Sequence, residues 1–203
     1  ELPKDIQEKL YNKEFMDPAQ PLGPSAYRDF KAKKGPPWKI GYASSYAGNT
    51  WRAGVMDRLQ NVIIPKWKQL GLISDVIVTQ SNLDDKTQIQ QMRQLVDQGV
   101  DAIIVCCSNP TALNQTVDYA KSKGIPVFSA TGYLTSKNTM NSSSNYSVAG
   151  SMLGEWLAKE IGGKGNVLIV EGIPGTSASD AQDRGAKKAL AKYPDIKLSL
   201  IHI

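Results

Sequence analysis

From Trp38 onward, short apolar runs alternate with longer stretches in which apolar residues recur at helical spacing. The runs predict strands at Lys39–Ser44, Asp75–Thr79, Ala102–Cys107, Pro126–Ala130 and Asn166–Glu171, with a weaker one near Asn141–Asn145 and a last one near Lys197–Ile203. Between them, helices are predicted near Thr50–Gln69, Lys86–Gln98, Pro110–Lys123, Ser147–Glu160 and Ser179–Ala191, with Gly99, Gly124 and Gly162 as C-terminal caps. Strands apolar on consecutive residues, strictly alternating with helices, predict an α/β fold: a doubly wound parallel sheet covered on both faces. Right-handed crossovers bring every strand's carboxyl end to one rim, where ligands bind at the topological switch point. Function is therefore sought just after each strand.

Residues 1–37 break the pattern. They hold Pro3, Pro18, Pro21, Pro24, Pro36 and Pro37. After a short helix around Asp5–Asn12, this proline-rich N-terminal arm reads as an extended tail over the surface. The first α/β lobe is assigned to residues 38–162, and residues 163–203 to the start of a second, partial lobe. A βαβ unit of about forty residues buries too little core to stand alone. The closing residues Leu198–Ile203 match one translated frame of a transposon mosaic-end adapter. They are expected to be either foreign to the protein or a natural strand, which their apolar alternation also permits.

Composition narrows the chemistry. Of 203 residues, 41% are hydrophobic and 21% charged, the balance of a folded chain. The longest apolar runs fall well short of the ~20 residues that span a bilayer. The 24 Lys+Arg against 19 Asp+Glu give a net charge of +5, but the basic residues are scattered, so nucleic acid gains no support as a partner. The sole histidine, His202, stands next to the last residue, which removes His-based zinc sites and His-assisted nucleophiles. Cys106 and Cys107 are neighbours, too close for an ordinary disulfide, and read as small core residues of a strand.

On the rim, the first strand is followed by Ser44-Ser45-Tyr46-Ala47-Gly48-Asn49-Thr50-Trp51-Arg52, which matches neither phosphate-binding glycine fingerprint. No dinucleotide or NTP cofactor is expected. Amide, hydroxyl and indole groups suit a polyhydroxylated ligand: Asn49 would hydrogen-bond and Trp51 would stack, unless Trp51 packs on the sheet. After the third strand stands Asn109, either a ligand contact or a helix N-cap. Thr131 and Gly132 follow the fourth strand, and Ser144 and Asn145 the fifth. Asp180 opens the last helix, where a dipole role competes with a ligand role. No metal-ligand spacing, histidine base or G-x-S-x-G motif accompanies these groups, so binding without catalysis is expected.

From about Trp38 to Lys197 the chain resembles the sugar-binding class of periplasmic solute-binding proteins, the ribose and galactose type serving ABC importers. The carriers are the Ser-Ser and Asn-Thr-Trp loop, the run Gln94–Ile104, Ser108-Asn109-Pro110, Gly124-Ile125-Pro126-Val127, and Glu171–Ser177. The resemblance implies two lobes closing on a sugar and a monomeric protein in the periplasm or lipid-anchored outside the cytoplasmic membrane. It also implies transporter membrane subunits as partners, a leader upstream of Glu1 in the intact gene, and feeble ligand binding by half a cleft. It places ligand contacts at Asn49, Trp51, Asn109, Ser144 and Asn145, and sets Asp180 where an arginine often grips the sugar, with alignment slipping toward Gln182 or Arg184. Two departures stand out: Thr131 and Gly132 replace an Asp-Arg pair, and Arg52 replaces a second aromatic. The expected ligand is thus a sugar or polyol not restricted to ribose, an anionic or modified sugar among the alternatives. The rival readings are the sensing part of a lac-repressor-type transcription regulator, disfavoured by an arm too proline-rich for a helix-turn-helix, and a Rossmann-type enzyme.

Overall fold

The computed structural model describes residues 3–5, 24–106 and 108–202. Apart from Asp5, the short helix expected over Asp5–Asn12 lies outside them, as do Cys107 and Ile203. Two compact units are present, one spanning Pro21–Ser143 and the other built from Ser144 onward.

The first unit carries five parallel strands: β1 (Trp38–Ser44), β2 (Ile73–Gln80), β3 (Ala102–Cys106), β4 (Val127–Ala130) and β5 (Thr139–Ser142), in the order β2-β1-β3-β4-β5. The order reverses between β1 and β3, as a doubly wound sheet requires. One layer of the core is formed where α3 (Asp85–Asp97) and α4 (Asn114–Ser122) bury Met92, Leu95, Val117 and Ala120 against Ala43, Ile103, Val105 and Val127.

The long helix expected over Thr50–Gln69 forms in three pieces: α1 (Thr50–Arg58), a π-helical turn (Leu59–Ile63) and α2 (Ile64–Gln69). Pro65, in the first turn of α2, lacks the N–H that an uninterrupted α-helix would donate to the carbonyl four residues back, and its ring would crowd that carbonyl; the wide turn before it relieves both. None of these pieces buries a residue. The helix expected to begin at Pro110 begins at Asn114, because Asn109 holds the intervening residues in a turn: its Oδ1 accepts from Thr111 N at 3.0 Å and Ala112 N at 3.2 Å.

The arm is tied to the first unit by Tyr27. Its hydroxyl donates to the Asn138 carbonyl at 2.6 Å and accepts from Val127 N at 3.0 Å, and its ring stacks on Phe128 with centroids 6.2 Å apart.

In the second unit α5 (Tyr146–Glu160) and α6 (Ser177–Leu190) accompany a parallel pair, β6 (Lys164–Glu171) and β7 (Asp195–His202). This unit takes in α5, so the division between the two units falls ahead of that helix. The cause is a close approach of two helix backbones: α5 meets α6 through Gly150 and Gly154, facing Gln182, Ala186 and Ala189. The residues Leu198–His202 pair with Val167–Glu171 in unbroken register.

Candidate functional site

The switch point lies where the loops after β1 and β3 diverge. Two hydrogen bonds join them, Ser45 N to the Cys106 carbonyl at 2.9 Å and Ser108 Oγ to Ser45 Oγ at 2.8 Å, and the buried Gln88 amide of α3 donates to the same Cys106 carbonyl at 3.2 Å. This fixes the base from which the candidate side chains project.

Asn49 caps α1, its Oδ1 accepting from Arg52 N at 2.8 Å. Its Nδ2 has no partner among the described residues. Trp51 follows in the first turn, 54% exposed, so it does not pack on the sheet. The Arg52 guanidinium lies 5.3 Å from the Trp51 ring centroid and donates through Nη1 to Cys106 Sγ, which in turn meets Thr131 Oγ1 at 3.1 Å. Arg52 has no carboxylate partner among the described residues. Beneath it, Tyr42 is buried, and its hydroxyl is pushed up to about 12, chiefly by burial and then by the Cys106 thiol beside it, with Arg52 opposing. It stays protonated across the neutral range.

A cation in the first turn of a helix is set against the positive end of its dipole, and α1 has no acidic residue there to offset it. Arg52 is nevertheless held in place by Cys106. The rim is also where backbone strain collects: the non-glycine residues with positive φ are Asn82 (52°), Leu83 (67°) and Thr131 (70°), after β2 and β4.

Asn109 donates through Nδ2 to Asp85 Oδ2 at 2.7 Å, besides holding its turn, so it is not the N-cap of α4, which is Leu113. The Gly132 carbonyl accepts from Ser129 Oγ at 2.8 Å. Asn49, Trp51, Arg52, Asn109, Thr131 and Gly132 thus share one rim of one unit. Ser144, Asn145 and Asp180 belong to the other unit. There Asn145 caps α5, accepting from Val148 N at 3.1 Å, and the Ser144 carbonyl accepts from Tyr146 N at 3.0 Å. Asp180 Oδ1 accepts from Gly175 N at 3.1 Å, closing the turn before α6.

Two participants were missed from the sequence. Cys106 was read as core, although the last residue of a rim strand points its side chain to one face just below the ligand loops. Asp85, after β2, has a sequence signal too: Asn82, Asp84 and Asp85 within four residues mark a polar turn at a helix start.

In the second unit a cavity of about 220 Å³ is lined by Glu171, Asp180, Asp183 and Lys187. Glu171 is buried, with Lys187 Nζ at 3.0 Å from its Oε1. The Asp183 carboxyl is held above the ordinary aspartate value by burial first and then by the Glu171 charge, with Lys187 opposing. A carboxyl whose folded pKa is raised loses its proton in the unfolded chain first, so stability falls as pH rises from about 3.9 upward. Asp183→Asn is accordingly expected to raise the unfolding midpoint at pH 7 and leave it nearly unchanged at pH 3. Equal shifts at the two pH values in a denaturation series would count against this assignment.

Comparison with known proteins matches residues 40–199 to the family described as periplasmic binding protein domain. The xylitol-binding protein of Mycolicibacterium smegmatis is 37% identical over 125 residues, covering 61% of this chain and 36% of that protein. The galactofuranose-binding protein YtfQ of Escherichia coli is 28% identical over 168 residues, covering 80% and 51%. Among solved structures, the fructose binding periplasmic domain of a hybrid two component system is 25% identical with a TM-score of 0.72, covering 81% of this chain and 53% of that one. A solute binding protein of an ABC transporter from Thermobispora bispora superposes with a TM-score of 0.75 at 24% identity, covering 82% and 52%. The chain spans between about a third and about a half of the length of these relatives.

Proposed function

Since the chain belongs to the periplasmic binding protein domain family, we propose that it is an extracytoplasmic solute-binding protein that captures a sugar or polyol and delivers it to an ABC importer. The observation that carries the reading is the β1/β3 switch-point rim. There an exposed indole, a half-satisfied amide and a guanidinium without a counter-ion stand on the first turn of one helix. Sugars present hydroxyl edges and an apolar C–H face, which a planar aromatic and fixed hydrogen-bonding groups match. The names of the relatives, xylitol- and galactofuranose-binding proteins among them, support the same ligand class. Nothing in this chemistry breaks a bond; the protein holds and releases its ligand unchanged.

Ligand-observed NMR on the purified chain with xylitol, xylose, ribose and galactose tests the reading, with NAD as a contrasting ligand. Saturable binding of at least one polyol or sugar, competed by a second, is expected. Binding of NAD with none of the sugars would overturn the proposal. A second reading is favoured by one neighbour, the fructose binding domain of a two component system: the same rim would then report a sugar to a signalling partner instead of passing it on.

A further inference from the structure

A cavity of about 530 Å³ opens within the first unit at the N-terminal ends of β1, β3 and β4, on the rim opposite the ligand loops. The arm ahead of β1 forms one of its walls, and that arm precedes the family-matched segment, which begins at residue 40. We propose that this cavity is a second binding site, for an aromatic carboxylate.

The size lies inside the ordinary range for small-molecule sites, about 300 to 1,000 Å³. Four aromatic rings line it: Phe30 and Trp38 from the arm and its junction with β1, Tyr119 from α4 and Phe128 from β4. A lining rich in aromatic rings suits an aromatic guest, because ring pairs gain contact energy beyond area burial. The wall is held, not loosely draped: Tyr27 anchors the arm through Val127 N and the Asn138 carbonyl, and Trp38 Nε1 donates to the Lys34 carbonyl at 3.2 Å.

The charged groups decide the sign of the ligand. Both acids of the lining are already engaged. Asp101 Oδ2 takes Lys34 Nζ at 2.9 Å and Lys39 N at 2.7 Å, and Asp97 Oδ1 accepts the Tyr119 hydroxyl at 2.6 Å. Two lysines of the lining have no carboxylate partner among the described residues. Lys33 Nζ donates to the Lys123 carbonyl at 2.5 Å, and Lys123 Nζ lies 5.6 Å from the Tyr119 ring centroid. Two ammonium groups at the edge of an aromatic chamber match an anion on a flat apolar body. A polyol would find few partners for its hydroxyls there, which separates this site from the switch-point rim.

Titration of the whole chain with 2-naphthoate, set against the uncharged 2-naphthalenemethanol, tests the assignment by calorimetry. We expect saturable naphthoate binding and an alcohol at least about tenfold weaker, since a charge-assisted contact is lost. Lys33→Met and Lys123→Met together should remove that preference, leaving both compounds equally weak. Ala32→Trp, on the exposed arm, should fill the chamber and abolish both. Trp51→Ala should leave naphthoate binding unchanged. No saturable binding, equal affinity for acid and alcohol, or loss of binding in Trp51→Ala with none in Ala32→Trp would each overturn the proposal. A dimer seen by sedimentation that Ala32→Trp disperses would overturn it too, since a second copy would then be the occupant. Because the readout is naphthoate binding and not sugar binding, its failure leaves the proposed function untouched.

Discussion

Gly185→Ala is expected to destabilise the second unit by about 3 kcal/mol, the upper range for overpacking, because the added methyl has nowhere to go. A Cβ at Gly185 would stand 1.9 Å from the Ser147 carbonyl oxygen and 2.8 Å from Ser151 N, both main-chain atoms of α5. The contact is reciprocal: a Cβ at Gly150 would stand 1.9 Å from the Gln182 carbonyl oxygen of α6. Side chains yield by changing rotamer, but two helix backbones yield only by moving apart. Separation would open a core that is small to begin with, its buried members being Ala158, Val167 and Leu190. The helix itself would gain from alanine, by about 0.5 to 1 kcal/mol, so the loss is a net figure. Gly54→Ala in α1 supplies the contrast, since a Cβ there meets nothing within 4 Å and that variant should gain the propensity term alone. Urea denaturation of the two variants decides the matter. Equal midpoints would show that the α5–α6 contact is looser than the structure has it.

That contact was also written in the sequence, and periodicity alone did not reveal it. Small residues recur at every fourth place on α6, at Ser177, Ala181, Gly185 and Ala189, and at spacings of three and four on α5, at Ser147, Gly150, Gly154 and Ala158, all buried. The parallel sheet was legible because its strands are apolar on consecutive residues, a signature of burial on both faces. The fifth strand was legible only weakly, and was read two residues late near Asn141–Asn145, for a physical reason. It is polar, Thr-Met-Asn-Ser, and a different force holds it. Asn141 takes Ser129 Oγ at 2.7 Å and Leu134 N at 3.0 Å on Oδ1 and donates to the Leu134 carbonyl at 3.0 Å, so side-chain hydrogen bonds replace apolar pattern and shift the strand to Thr139–Ser142.

The site was half legible. Its rim follows from topology, and topology follows from the alternation of strands and helices. Which polar residues serve the backbone does not, because Asn and Asp at helix starts satisfy orphan N–H groups in the same positions where they would meet a ligand. Asn49 and Asn145 are caps, and Asp180 and Asn109 hold turns. Arg52 shows the converse. Sequence marked it as a departure from a family pattern, and only the structure shows it anchored on Cys106 rather than on a carboxylate.

Among the rim residues, Trp51→Ala separates binding from folding most cleanly. A micromolar ligand needs about 8 kcal/mol of binding free energy, and a neutral hydrogen bond contributes on the order of 1 kcal/mol, so a few polar contacts do not hold a sugar without an apolar surface beneath it. In the proposed function the indole would supply that surface. Its ring is mostly exposed, and the one aromatic or cationic contact it makes is with the Arg52 guanidinium, worth about 0.5 to 1 kcal/mol at such a site. Truncation should therefore move the unfolding midpoint little. It should weaken sugar or polyol binding at least about tenfold, the equivalent of 1.4 kcal/mol. Trp51→Phe, which keeps a flat apolar face, should recover most of the affinity. Asn109→Ala would be less informative, because it strips the acceptor from Thr111 and Ala112 and the partner from Asp85, and so disturbs the loop and the ligand together. Unchanged affinity in Trp51→Ala, measured by titration with whichever sugar the chain binds, would remove the indole from the site. A phenylalanine variant as weak as the alanine one would show that the indole N–H, and not the ring face, carries the contact.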